Sequence, residues 1–119
     1  MNIRSLAKGL QFCGEAKGKR QTYYVFESAA GYVVMSASRT KRASGYFNLV
    51  SRNAVARIRK RYAGKQDVTA KQLATRSRGA GVRDALQALN LLYVLVATGA
   101  AKRDDRYQDT RLHFNISAR

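Results

Sequence analysis

The sequence predicts an α+β fold, and three observations carry that prediction. β-branched and aromatic residues cluster between residues 22 and 50 in short runs broken by Ser, Ala and Gly. From Ser51 onward the apolar residues recur at helical spacing instead. Beyond residue 100 a short strand and an Asp-Asp turn lead to a polar–apolar alternation at residues 111–115. The expected architecture is an N-terminal helix plus a three-stranded antiparallel sheet over residues 1–50. This packs, as one compact unit, on a helical half over residues 51–119 that closes with a hairpin. A chain of 119 residues fits one domain or two small subdomains sharing a core.

Each element has its own warrant. Ile3, Leu6, Ala7, Leu10 and Cys13 fall on one helical face, and Gly14 is a natural stop, so a short helix is expected there. Residues 15–20 read as a Gly/Lys loop. Residues 22–26 (Thr-Tyr-Tyr-Val-Phe) and 32–35 (Tyr-Val-Val-Met) form a predicted hairpin about the turn at 28–31. A basic loop with Arg39, Lys41 and Arg42 leads to a third strand at residues 46–50. Ser51 caps the next helix, whose buried stripe is Val55, Ile58 and Tyr62, with Arg52, Arg57, Arg59, Lys60 and Arg61 at other positions. Residues 65–68 are a short extended link. Thr69 and Gln72 have capping-box spacing, with Val68 and Leu73 placed as a hydrophobic staple. This short helix ends near Ser77, before a basic, glycine-containing turn at 78–81. A longer helix follows, with Val82, Ala85, Leu86, Leu89, Tyr93 and Val96 at helical spacing and Gly99 as its C-terminal cap. Its second half, residues 91–97, is apolar all round and must be buried on most sides. Residues 100–103 and 111–115 are the closing hairpin.

The charge is extreme. Twenty-three Lys and Arg stand against seven Asp and Glu, a formal net charge of +16. Both halves share the imbalance, so the positive surface belongs to the folded body and not to a detachable tail. A field of that sign attracts polyanions, of which DNA and RNA are the usual ones. The single cysteine, Cys13, excludes an internal disulfide framework and a multi-Cys zinc site. No apolar run is long enough to span a bilayer, and the N-terminus lacks the continuous apolar segment of a secretory signal. The chain therefore reads as cytoplasmic, with no membrane partner.

Enzymatic chemistry is not expected. The one histidine, His113, sits on the polar face of the last strand, and Glu15 and Glu27 are the only glutamates. No phosphate-loop, dinucleotide, nucleophile-elbow or zinc pattern is present, so no cofactor and no metal is expected. Asp104, Asp105 and Asp109 suit turn chemistry or an ion pair better than a metal. The aromatics Tyr23, Tyr24, Phe26, Tyr32, Tyr46 and Phe47 suit core packing, with stacking on single-stranded bases as the alternative.

The order from Ser51 onward, helix, extended link, short helix, tight turn, longer helix and hairpin, resembles the winged helix-turn-helix superfamily over about residues 51–117. The resemblance implies that the longer helix enters a major groove while the hairpin touches backbone. On that helix Arg83, Gln87 and Asn90 share one face opposite the expected core stripe. Their side-chain types can read base edges, Arg on guanine and Gln or Asn on adenine. Lys71, Arg76 and Arg78 flank the turn and suit phosphate contacts, as do Lys102, Arg103, Arg106 and Arg111 on the hairpin and Arg39, Lys41 and Arg42 in the N-terminal basic loop. The expected function is non-enzymatic binding of duplex DNA, as a transcriptional regulator or a DNA-architectural protein. Structured RNA, as in ribosome-associated proteins, is the rival partner. A protein-interaction scaffold or homodimer using residues 91–97 is the rival of another class.

Overall fold

Val25 and Phe26 are chain neighbours on a strand and so face opposite ways, yet they are only 0% and 6% exposed. A strand that is apolar on both faces belongs inside a sheet, not at its edge. A three-stranded meander beginning with this strand would leave it at the edge. In the computed structural model, which describes residues 10–18, 22–37, 45–76, 82–104, 106 and 112–118, a strand from earlier in the chain covers it. β1 (Gln11–Lys17), β2 (Thr22–Ser28), β3 (Gly31–Ala37) and β4 (Gly45–Val50) form an antiparallel sheet in sequence order.

This corrects the expected N-terminal helix and three-stranded sheet. Residues 11–17, read as a helix end and a loop, are a strand. Of the residues that carried the helical spacing, Ile3, Leu6 and Ala7 lie outside the described residues. Cys13, read as the last position of that helix, is the extra residue of a β-bulge between Phe12 and Gly14. Gly14 is no helix stop. It lets β1 lie against the end of a helix, because a Cβ there would stand 2.5 Å from the Ala97 carbonyl oxygen.

Three helices follow. α1 (Arg52–Arg61) is capped by Ser51, whose hydroxyl accepts from the Ala54 N–H at 3.3 Å. It buries Ala54, Val55 and Ile58, and Tyr62 at its end is also buried. α2 (Ala70–Arg76) is capped by Thr69, whose hydroxyl accepts from the Gln72 N–H at 3.2 Å. Val68 and Leu73, the expected staple, are both buried. α3 (Ala85–Ala97) crosses one face of the sheet and touches all four strands, with α2 and α1 also packed against it.

The burial of α3 differs from the expected stripe. Ala88, Leu92, Val94 and Leu95 are the deepest positions, with Leu91 and Tyr93 close behind, whereas Ala85 is exposed and Leu86 is 63% exposed. The wholly apolar second half sets the rotation of the helix, since it must be covered on most sides, and the first turn follows. A fully buried Leu or Val contributes about 2 kcal/mol, so residues 91–95 outweigh anything Leu86 could gain. Residues 91–95 are thus the chain's own core, and the expected contact seam is not on the surface.

The chain closes with β5 (Ala101–Arg103) paired antiparallel with β6 (Phe114–Ile116). The link before α2 joins them. Val68 and Phe114 exchange backbone hydrogen bonds of 2.8 and 2.9 Å, and the Ile116 N–H donates to the Lys65 carbonyl at 2.9 Å. One hydrophobic core runs from Val25 and Val34 in the sheet through Ile58, Leu73 and α3 to Phe114. A smaller apolar cluster of Phe26, Val33 and Met35 lies elsewhere on the sheet, with Leu10 and Tyr24 against it.

Candidate nucleic-acid interface

The predicted base-reading triplet does not stand together on one exposed helical face. Arg83 is exposed but precedes the helix, because Asp84 is the N-cap. Gln87 is exposed, yet its side chain is engaged locally. Its Oε1 accepts from the Arg83 N–H at 2.9 Å while its own N–H donates to Asp84 Oδ1 at 2.8 Å. That pair of bonds satisfies donors that a helix start leaves open. Asn90 is corrected outright: it is 3% exposed, and its amide donates to the Leu86 carbonyl at 2.9 Å. The physical reason is the rotation of α3 just described, which turns position 90 inward. Arg83, Gln87 and Asn90 line a cleft of about 530 Å³ between β4 and the start of α3, with Arg83 and Gln87 on its exposed parts.

The phosphate candidates divide. Lys71 and Arg76 are exposed on α2, and Lys102 is exposed on β5. Arg103 is exposed and donates to the Lys17 and Gly18 carbonyls at 3.4 Å each, tying the closing strand pair to β1. Arg106 is spent largely on Asp104, with guanidinium contacts of 2.6 to 3.2 Å to its carboxylate. Those bonds hold the buried Asp104 carboxyl far below the ordinary carboxylate range, against the opposing effect of its desolvation. Arg39, Lys41, Arg42, Arg78 and Arg111 lie outside the described residues.

The sequence reading did not select the outward stripe of α1. Arg57, Lys60 and Arg61 are exposed, with Asn53 completing the i, i+4, i+7, i+8 pattern opposite Ala54, Val55 and Ile58. The signal is present in the sequence as that spacing. Arg52, at the start of α1, is different. It donates to Glu27 Oε1 at 2.8 Å and to the Ser28 carbonyl at 2.5 Å, and lies 5.5 Å from the centre of the Tyr32 ring. Its role is to clamp α1 to the sheet.

Most of the aromatic candidates are packed. Tyr23 stacks on Tyr93 with ring centres 4.2 Å apart, and burial followed by the neighbouring Tyr23 pushes the Tyr93 phenol well above its ordinary pKa. Phe26 is buried, and Phe47 is 63% exposed. His113, expected on a polar surface, is instead buried, with Nδ1 against Asp67 Oδ1. Asp67 sits at φ 58°, a left-handed conformation that Asp tolerates, and its N–H donates to Asn115 Oδ1 at 3.0 Å. The pair pins the link to the closing strands.

No helix among the described residues is long and apolar enough to cross a membrane. No family model, no curated protein and no solved structure matches this chain.

Proposed function

We propose that this protein binds nucleic acid without catalysing a reaction on it, with duplex DNA as the favoured partner, by gripping phosphates through α1, α2 and the closing strands. One observation carries the reading. α1 and α2 together hold seven Lys and Arg and no Asp or Glu. A solvent-facing helix is ordinarily steadied by acidic–basic pairs one turn apart, and like charges at that spacing, such as Arg57 and Arg61, destabilise it. Cations kept at that cost suit a polyanion that repays it. Among the described acids Glu27 is paired with one of the seven, Arg52, while Asp104 is matched by Arg106 and Asp67 by His113.

Base reading has weaker support. Asn90 is buried and the exposed Gln87 has its side chain engaged at the helix start, which leaves Arg83 as the remaining candidate of the triplet. Phosphate contacts supply affinity and register with little sequence information. The reading is therefore of sequence-tolerant binding, as in a DNA-architectural protein, more than of a regulator that selects an operator.

The test is fluorescence anisotropy with labelled duplex DNA, single-stranded DNA and structured RNA over a salt series. Duplex binding whose log K falls steeply and linearly with log salt is the expected result. A flat salt dependence overturns the reading. Preference for structured RNA over duplex DNA at every salt concentration replaces the partner and keeps the mechanism.

A further inference from the structure

The sheet has two edge strands, and their chemistry differs. The β1 edge is interrupted by the Cys13 bulge and carries exposed Glu15 and Lys17. Bulges and charges are the usual means of keeping an edge from pairing with another chain. β4 has neither. Its sequence, Gly-Tyr-Phe-Asn-Leu-Val, holds no charge and no proline, and its register with β3 runs unbroken from Gly45 to Val50. No strand among the described residues lies beyond it.

Large apolar side chains are left in solvent on this strand. Phe47 and Leu49 are 63% and 67% exposed, and their register with Met35 and Val33 puts both on the face of the sheet away from α3, the face of the Phe26, Val33 and Met35 cluster. The further exposed large hydrophobes among the described residues are Phe12, at the other edge and 5.4 Å from Phe26 ring to ring, and Leu86 on α3.

We infer that β4 pairs antiparallel with the β4 of a second copy of this chain, making one continuous eight-stranded sheet about a twofold axis. The open edge offers backbone donors and acceptors in a row, so its occupant is a strand. Self-pairing is favoured because Phe47 and Leu49 straddle Asn48. An axis through Asn48 sets each Phe47 across from the other copy's Leu49 on the same face, a pairing of aromatic and aliphatic side chains that stabilises antiparallel strands. It also sets Asn48 against its own counterpart. β4 itself carries no charge, so no like charges face each other across the paired strands. Such a contact buries on the order of 500 Å² per copy, toward the low end of specific interfaces, so the dimer is a weak and reversible one. Screening the mutual repulsion strengthens it, whereas the same salt weakens nucleic-acid binding. The dimer does not depend on the proposed function.

The experiment is sedimentation equilibrium of the full chain, freed of nucleic acid, from micromolar to near-millimolar concentration at low and high salt. A reversible monomer–dimer equilibrium that tightens with salt is expected. Phe47→Lys and Leu49→Lys each weaken it by about 100-fold or more through two like charges near the axis, with circular dichroism unchanged. Leu49→Thr, which keeps a strand-forming side chain, replaces either lysine variant if that variant loses its fold. Amide hydrogen exchange must show protection growing with concentration along β4 and not along β1. A chain that stays monomeric throughout, a dimer indifferent to both sites, or protection gained at β1 instead overturns the inference.

Discussion

Removing two cations from the outward stripe of α1 measures how much of the binding that helix carries. Arg57 and Arg61 are one turn apart, both exposed, and neither touches the buried positions Ala54, Val55 and Ile58 on the other side of the helix. Arg57→Ala with Arg61→Ala therefore leaves the packing intact, and relief of a like-charge pair offsets part of any lost helix-end favourability. If each guanidinium neutralises one phosphate, the slope of log K against log salt becomes shallower by about 0.9 per contact, or about 1.8 for the pair. At about 0.1 M salt the same term lowers affinity by about 60-fold, close to 2.4 kcal/mol. Anisotropy titrations of the wild type and the double variant at four or five salt concentrations read both quantities. A variant that binds duplex DNA with the parental slope refutes the assignment of α1 to the interface. A lower affinity with the slope unchanged means that the substitutions act through the fold and not through phosphate.

The remaining predictions concern the framework that holds this surface. Gly14→Ala forces a Cβ to within 2.5 Å of the Ala97 carbonyl oxygen, backbone against backbone, and costs about 1–3 kcal/mol, a fall in Tm of about 4–12 °C by calorimetry; an unchanged Tm contradicts the close approach of β1 to α3. Asp84→Ala removes the acceptor for the Gln87 N–H and costs about 1 kcal/mol in denaturant unfolding, while the salt slope of binding stays parental; a changed slope gives this corner a direct part in binding. Asp104 has its pKa lowered by Arg106, so its contribution is present above the unfolded carboxylate pKa of about 4 and is lost as pH falls below it. Arg106→Gln removes the main cause of that lowering, and the acid-unfolding midpoint followed by circular dichroism moves to higher pH; no movement means the pair contributes nothing to acid stability.

Much of the fold was legible in the sequence because the signals were local. Ser51 and Thr69 cap α1 and α2 as their side chains and positions foretold, and the strands at residues 22–28 and 31–37 follow from their β-branched and aromatic content. The misreadings share a cause. The expected helix was carried as far as Cys13, but residues 11–17 are a strand, and the deciding factor was the need of β2, apolar on both faces, for a neighbour. The triplet at 83, 87 and 90 lay on one face of an ideal helix, but α3 begins at Ala85 and rotates to bury its second half. Such facts depend on partners far away in the chain.

The sequence by itself determined the charge excess, the α+β class and the positions of the helix caps, since each follows from side-chain types and short-range spacing. Tertiary structure alone decided which polar residues face solvent. Asn90 and His113 went inside because the core around α3 and the closing strands needed their positions covered, and Arg57, Lys60 and Arg61 stayed outside because Ala54, Val55 and Ile58 claimed the other side of α1. Burial is a property of the whole packing, and a pattern along one segment fixes it only up to the rotation that its neighbours impose.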